Sequence, residues 1–526
     1  MIRLFEIRME ITESPELLHG RCEKLLGCRL KSVKLVKRAI DARHKSDMFY
    51  SCTVDCEPEG QIRPAGRVKF RSTDDAEYAF PKLEPSGKIV IVGSGPAGLF
   101  SALMLARQGF CPTVLERGGE ARERAAAVKR FFDEGKLDEN TNIQFGEGGA
   151  GTFSDGKLNT GINDMRIRAV LKEFVRFGAP EDILIDAAPH IGTDILRSVV
   201  KNMRNEIISL GGRFLFNTAL SDIMLEGGAL RGIRIKKIAD AAEADMECDA
   251  LILAIGHSGR DTMRMLYKRG LAMEQKPFSI GVRIEHKQKL ISDAMYGSFS
   301  KVLPPAPYKL WTHLDDGSSL YTFCMCPGGF VVNAASERGG VVTNGMSNNA
   351  REGENANSAL LVNVSGLGGG AVFAGMELQE KLEKKAFAAG GGGYFAPVQT
   401  LGDFLAGKPS SRLGNVEPTI KPGYTLGSIS DVLPEDICSV LRRGIVKLDK
   451  RLKGFCAPDA VLTAPETRSS SPVRVIRDRE TLKTNIDGLF SAGEGGGHAG
   501  GITSSAVDGI RIAEAAGAFL SDRFSH

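Results

Sequence analysis

Residues 88–117 constrain this chain more than any other stretch. Lys88-Ile-Val-Ile-Val92 is a continuous β-branched run, the mark of a strand buried on both faces of a parallel sheet. Gly93-Ser94-Gly95-Pro96-Ala97-Gly98 follows, and Leu99–Gln108 carries apolar residues at helical spacing. Pro112-Thr-Val-Leu-Glu116-Arg117 is a second strand ending in an acid. Together these read as a βαβ unit. Gly93 permits the tight turn, Gly95 lets a pyrophosphate approach the backbone, and Gly98 lets helix and strand pack closely. The helix N-terminus presents N–H groups and a partial positive charge to that anion. Glu116 follows Gly93 by 23 residues, near the ~20 expected of an acid that bonds ribose hydroxyls. An acid there argues against a 2′-phosphate, so the pattern predicts an unphosphorylated dinucleotide.

Two later segments favour FAD over NAD. Thr484-Asn-Ile-Asp-Gly488-Leu-Phe-Ser-Ala-Gly493-Glu494 resembles the distal flavoprotein motif, a short strand ending in Ala-x-Gly-Asp. That resemblance implies that Glu494 holds a ribityl hydroxyl. It also implies that a helix beginning near Ile502–Ser505 faces the flavin with its positive end. Asp249-Ala-Leu-Ile-Leu-Ala-Ile-Gly256 resembles a third flavoprotein signature, where the chain closes past the cofactor. In proteins of this plan the FAD domain is discontinuous and the substrate domain is inserted before the last motif.

The rest of the chain fits such a plan. Glycine makes up 62 of 526 residues, gathered at 93–98, 146–156, 366–370, 390–393 and 493–501. Glycine serves where backbone takes unusual dihedrals or is closely approached, and the first, second and last clusters are expected around one FAD. A net charge of +4 from 68 basic and 64 acidic residues is too balanced to demand a polyanionic partner. Ten scattered cysteines without a CxxC pair form neither a disulfide scaffold nor a common zinc pattern. No metal site is expected. The first residues lack a signal-peptide pattern and no apolar run is long enough to span a bilayer, so a cytoplasmic location is expected.

The predicted fold class is α/β. A discontinuous Rossmann-like FAD domain (83–272 and 433–526) carries an inserted mixed α+β substrate domain (273–432). A small α+β unit covers 1–82. In that unit Phe5–Ile11 alternates as a half-buried strand, Ser14-Pro15 opens a helix ending at Gly27, and Val33–Ile40 and Met48–Val54 are strands. Residues 57–87 read as linker or edge. Phe214–Met224 and Leu230–Lys236 read as a hairpin through Glu226-Gly-Gly-Ala, and 434–453 as a helix. Between Gly20 and Ser46 stand nine Lys or Arg and two acids. They read as a solvated face, with a nucleic-acid surface as the alternative.

Candidate chemistry lies in four places. Phe145–Lys157 carries Gly149, Thr152 and Ser154, which would shape the cofactor pocket, and Lys157, which either shares that task or stands near flavin N5 as a supporting cation. In flavoprotein disulfide reductases the corresponding segment holds a CxxxxC pair; here it has no cysteine. Cys324-Met-Cys326 is a redox pair, a flavin-facing nucleophile, or two buried small apolar residues. His498 is a general acid or a loop residue bonding backbone. Arg468, Arg474 and Arg477 bind an anion or form structural ion pairs. Gly366–Gly370 lacks the acid or arginine of a second nucleotide loop, so NAD(P)H is expected only as a transient reductant docking over the flavin.

The strings QFGEGGAGTFSDGKLNT (144–160), AIGHSGRDT (254–262), KPFSIGVRIEH (276–286), FCMCPGGFVVNAASE (323–337), TNGMSNNAR (343–351), ETRSSSPVRV (466–475) and GEGGGHAGGITSSAVDG (493–509) are similar to a bacterial family of FAD-dependent dehydrogenases, generally described as uncharacterised NAD(FAD)-utilising proteins. That resemblance implies a glutathione-reductase-type FAD fold and a two-electron oxidoreductase acting through flavin N5 on a small molecule. Its expected cofactor residues are Gly93–Gly98, Glu116, Arg117, Gly149, Thr152, Ser154, Lys157, Leu220 near the adenine, Gly256, Gly493, Glu494, Gly501, Ile502 and Thr503. Three alternatives remain open: a tRNA-modifying flavoprotein using the basic N-terminal segment, a flavin reductase of an isoprenoid lipid using the inserted sheet, and a non-enzymatic protein holding FAD as a structural or sensing ligand.

Overall fold

The computed structural model describes residues 1–73 and 77–524. The β-branched run forms the strand Ile89–Val92 at the centre of a five-stranded parallel sheet. The sheet order is Leu489–Ser491, Ala250–Leu253, Ile89–Val92, Thr113–Leu115, Arg213–Leu215. The chain leaves Ile89–Val92 toward one edge and returns on its other side at Ala250–Leu253. That reversal opens a crevice at the carboxyl ends of these two strands, where ligands of open α/β sheets bind. Helices Pro96–Arg107 and Ile502–Phe524 pack on one face through Leu99, Leu103, Ala106, Ala506, Ile510 and Ala513.

Phe214–Met224, read as one strand, is two. Arg213–Leu215 closes the parallel sheet, whereas Thr218–Glu226 pairs with Ala229–Lys237 in a separate antiparallel sheet. Asn217 makes the break with φ +51°, a left-handed conformation that Asn tolerates better than most residues.

A seven-stranded sheet forms the other large body. Its order is Trp311–His313, Ser319–Cys326, Asn355–Val364, Phe278–Lys287, Val461–Glu466, Ala396–Thr400, Tyr424–Leu426. All neighbouring pairs are antiparallel except the last. Val461–Glu466 lies beyond residue 432, so the sheet extends past the expected end of the insert. The helix Glu435–Asp449 also belongs to this body, burying Ile437, Leu441, Ile445 and Leu448 against Ile280, Ile284, Leu320 and Leu360. A buried partner strand outweighs chain proximity to the last motif: all six residues of Val461–Glu466 are buried.

The N-terminal unit is a four-stranded antiparallel sheet with the helix Leu18–Leu26 on it. Residues read as linker supply its edge strand, Phe70–Ser72. Arg38 fastens this unit to the parallel-sheet body: its side chain pairs with Asp186 at 2.8 Å, and its N–H donates to the Ile185 carbonyl at 2.7 Å. Among the described residues no helix is long and apolar enough to cross a membrane.

Candidate functional site

The crevice at the strand reversal opens into a cavity of about 350 Å³, lined from three directions. The parallel sheet contributes the turn after Ile89–Val92. A Cβ on Gly93 (φ +101°) would fall 2.3 Å from the Ala254 carbonyl oxygen, and one on Gly98 would fall 1.9 Å from that of Gly93. Only glycine closes this turn. Gly95 precedes the helix Pro96–Arg107 without a side-chain cap, so the first-turn N–H groups face the cavity ready for an anion.

Glu116 lines the cavity, and its carboxylate also ties three glycine-rich segments together. One oxygen accepts from the Ser94 N–H (3.0 Å) and Oγ (2.6 Å); the other accepts from the Gly118 and Gly146 N–H groups, both at 3.0 Å. Arg124, which carried no sequence signal, does similar work from beneath. Its fully buried guanidinium donates to the carbonyls of Asn142, Ile143, Gly146, Glu147 and Gly149. Burial lowers its pKa to about 10. The loop that Arg124 holds lies against the first glycine turn, with Gly148 N–H on the Ser94 carbonyl at 3.0 Å.

Gly256, His257, Gly493 and Glu494 line another side of the cavity. Gly493 N–H donates to Asp508 (2.8 Å), which Arg477 also binds. Sequence reading passed over His257. Its Nδ1 lies 3.3 Å from Glu494 Oε1, and its buried Nε2 has no hydrogen-bond partner. The signal available was its place directly after Gly256, at the closing turn of a parallel strand.

The seven-stranded body supplies the third wall through Phe323, Cys324, Asn344, Glu466, Arg468 and Ser469. Arg468 binds Ser258 (3.1 Å), Ser336 (2.6 Å) and Glu383 (2.7 Å), and Glu383 also binds Arg260 at 2.9 Å. This buried cluster joins the two bodies. Burial alone would raise the Glu383 carboxyl; Arg468 and Arg260 instead hold it at about 2. Lys157 donates to Asp155 (2.8 Å) and to the Met325 carbonyl. Burial works against its charge, yet the Cys324–Cys326 pair and Asp155 keep its pKa raised.

Of the residues expected at the cofactor, Gly93, Ser94, Gly95, Pro96, Ala97, Glu116, Arg117, Gly149, Ser154, Lys157, Leu220, Gly256, Gly493, Glu494, Gly501 and Ile502 line the cavity. Gly98, Thr152 and Thr503 stand behind it. Gly98 is held by packing on Gly93, Thr152 gives its carbonyl to Thr193, and Thr503 Oγ1 donates to the Leu158 carbonyl. Cys324 reaches the cavity, while Cys326 is fully buried beside it.

His498, a candidate general acid, is outside the cavity lining. Its Nε2 meets the Val475 carbonyl at 3.0 Å, and burial with Arg477 nearby lowers its pKa to about 4, which leaves it neutral and bonded to backbone. Arg474 pairs with Glu274 (3.2 Å) and Arg477 with Asp508 (2.6 Å), the structural fate. The clusters 366–370 and 390–393 flank the helix Ala374–Ala389, the first as a short 3₁₀ turn and the second as the helix end. In the basic N-terminal segment Arg21, Arg38 and Arg43 are ion-paired with Glu13, Asp186 and Asp41. Among the described residues no group of three or more His, Cys, Asp or Glu side chains is arranged to hold a metal.

Comparison with known proteins bears on this site through sequence. Residues 277–469 match the family model described as FAD-dependent protein, C-terminal domain-like, and residues 1–57 match a domain of unknown function, DUF8436. An uncharacterized protein of Clostridium beijerinckii is 42% identical over 534 residues, covering 98% of each chain. Among solved structures, a flavin-dependent brominase is 12% identical with a TM-score of 0.38, covering 83% of this chain and 79% of its own. A flavoprotein/dehydrogenase from Cytophaga hutchinsonii is 11% identical with a TM-score of 0.37 over the same shares. These structural likenesses add nothing to the reading of the site. The chain belongs to the family of the Clostridium beijerinckii protein, and its residues 277–469 match the FAD-dependent protein, C-terminal domain-like model.

Proposed function

We propose that this protein is an FAD-dependent oxidoreductase acting on a small molecule, with the cofactor extended through the cavity in the manner of glutathione-reductase-type flavoproteins. One observation carries the reading: the glycine turn, the closing turn at Gly256-His257 and the Gly493-Glu494 turn converge on one cavity that the FAD-dependent-type domain walls off. The chemistry of the cavity suits the group. His257 Nε2 is a buried polar atom awaiting a partner, and a Cβ on Gly256, Gly500 or Gly501 would meet no protein atom within 4 Å.

In this reading the N–H groups of Gly95 and Ala97 bind the pyrophosphate, and Glu116 holds the turn and faces the ribose. Glu494 and His257 take the ribityl hydroxyls. Bound FAD supplies two-electron transfer through its N5, and the protein supplies orientation and electrostatics. Lys157, charged and fixed by Asp155, places a cation on the wall shared with Cys324. NAD(P)H serves as a transient reductant entering from solvent. The test is purification with and without added FAD, followed by anaerobic titration with NADH, NADPH and a metabolite panel. A protein that shows flavin absorbance bleached by one of these donors supports the reading. A colourless protein that takes up no FAD overturns it.

A further inference from the structure

Cys324 and Cys326 have no part in that reading, yet their geometry is unusual. On a regular strand, residues i and i+2 share a face with side chains about 7 Å apart, too far for the Cβ separation of about 4 Å in a disulfide. The strand Ser319–Cys326 is not regular here. Its register against Asn355–Val364 shifts between Phe323 and Cys326, and Cys324 takes φ +42°. A residue with a Cβ is strained there, and such strain gathers at working sites.

The bulge turns Cys326 Sγ back toward Cys324, 3.3 Å from its carbonyl oxygen. Beneath them the buried Arg283 reaches the Cys324 carbonyl at 3.1 Å and Cys326 Sγ at 4.0 Å. Lys157 binds the carbonyl of Met325 between them. The neighbouring Cys326, with Lys157 and Arg283 close by, holds the Cys324 thiol below its ordinary range, while Cys324 and burial raise Cys326. Cys324 lines the cavity and is the more acidic of the two; Cys326 is fully buried beside it and is the less acidic. That division of labour suits an attacking and a resolving thiol.

We propose that Cys324 and Cys326 form a reversible dithiol–disulfide pair on the cavity wall that reduces a small organic disulfide. The Cys324 thiolate attacks one substrate sulfur; a bond to Cys324 forms, the substrate S–S bond breaks, and the second substrate sulfur leaves as thiolate. Cys326 then gives its proton to that leaving sulfur and attacks Cys324. The Cys324–Cys326 bond forms and the first substrate sulfur leaves, taking a proton from solvent. One substrate disulfide becomes two thiols while two cysteines become one disulfide. An external dithiol of the dithiothreitol class returns the pair by the same exchange in reverse. The inference shares the cavity of the flavin reading, but its readouts are mass and thiol count, so either can fail without the other.

The test uses the full chain, reduced, desalted and exposed to 2-hydroxyethyl disulfide, then denatured, alkylated with iodoacetamide and cut with trypsin. Both cysteines lie in the tryptic peptide 310–338. We expect that peptide to lose two hydrogens, carry no alkyl group, and regain both thiols with dithiothreitol. Cys326→Ser should trap a hydroxyethyl adduct on Cys324, formed at least about tenfold faster than on the buried Cys438. Lys157→Met should move the pH profile of that adduct formation upward. Cys22 and Cys56 are an internal control, because both are fully buried outside this cavity. Two alkyl groups on the wild-type peptide after disulfide treatment, or an adduct on Cys324 that Cys326 never resolves, overturn the proposal.

Discussion

Glu383→Gln tests the buried ionic joint between the two sheet bodies. Glu383 lies on the helix Ala374–Ala389 with its side chain 2% exposed, and Arg260 and Arg468 beside it are 2% and 4% exposed. One oxygen accepts from Arg260 (2.9 Å), Arg468 (3.0 Å) and Thr467 (2.7 Å); the other accepts from Arg260 (3.0 Å) and Arg468 (2.7 Å). The amide keeps the shape but removes the charge. Two buried guanidinium groups are then left with Glu337, which is 38% exposed and lies 2.9 Å from Arg260 but 3.9 Å from Arg468. Removing one partner of a buried pair costs about 3–5 kcal/mol.

The carboxyl's lowered pKa, about 2 against an ordinary 4.5, corresponds to about 3 kcal/mol by linkage, in agreement. Because the folded value is depressed, the contribution is full above the unfolded value and is lost as pH falls toward 2. Wild type and variant should therefore differ most above pH ~5 and converge toward pH ~2. Urea unfolding followed by Trp311 fluorescence reads this directly, since Trp311 is the sole tryptophan and sits on the edge strand of the seven-stranded sheet. The midpoint at pH 7 should fall by about 1–2 M for a slope of about 2–3 kcal/mol/M. A fall under about 0.3 M, or a difference that persists unchanged at acid pH, would refute the reasoning.

Glu116→Gln sets an amide NH₂ against backbone donors and should weaken FAD binding at least about tenfold, measured by flavin fluorescence quenching; unchanged affinity removes its assigned role. Gly256→Val strains a φ of +66° and projects a side chain into open space on the cavity, so FAD affinity should fall while the far-ultraviolet circular dichroism holds. His498→Gln should leave FAD affinity within about twofold, because the imidazole is neutral and bonded to the Val475 carbonyl rather than to the cavity. Arg124→Met strips five carbonyls of their donor and should cost about 3 kcal/mol or more. Limited proteolysis should then cut within residues 139–157 before any other segment; cleavage elsewhere first counts against the role given to Arg124.

Much of the fold was legible because the signals are local. The run Ile89–Val92, the glycine spacing and Glu116 lie within thirty residues and follow from strand burial, helix start and turn geometry. The hairpin at Gly227-Gly228 and the helix ending at Gly27 rest on equally short-range chemistry. Where local pattern misled, a distant partner overruled it. Phe214–Met224 is evenly apolar, but two different sheets claim its halves. Val461–Glu466 follows the helix of the insert, and its place is decided by Phe278–Lys287 nearly two hundred residues earlier.

The candidate site divides along the same line. Sequence alone pointed to a dinucleotide-type glycine turn, to Glu116 as its ribose acid, and to two further strands ending at Gly256 and Gly493; the structure added that Glu116 accepts from the N–H groups of Ser94, Gly118 and Gly146 and that the strands share one parallel sheet. It could not distinguish Glu383, in a helix rich in charges, from a solvated acid, nor Arg124 from a surface arginine, nor His257 from any loop histidine. Only the tertiary structure decided that Arg260, Glu383 and Arg468 meet, that Cys324 opens on the cavity while His498 turns away, and that a bulge turns Cys326 Sγ onto the Cys324 carbonyl. The physical reason is separation along the chain. A buried charge or an activated sulfur is defined by what surrounds it, and those neighbours lie 85, 123 and 168 residues away, where no periodicity or spacing in the sequence records them.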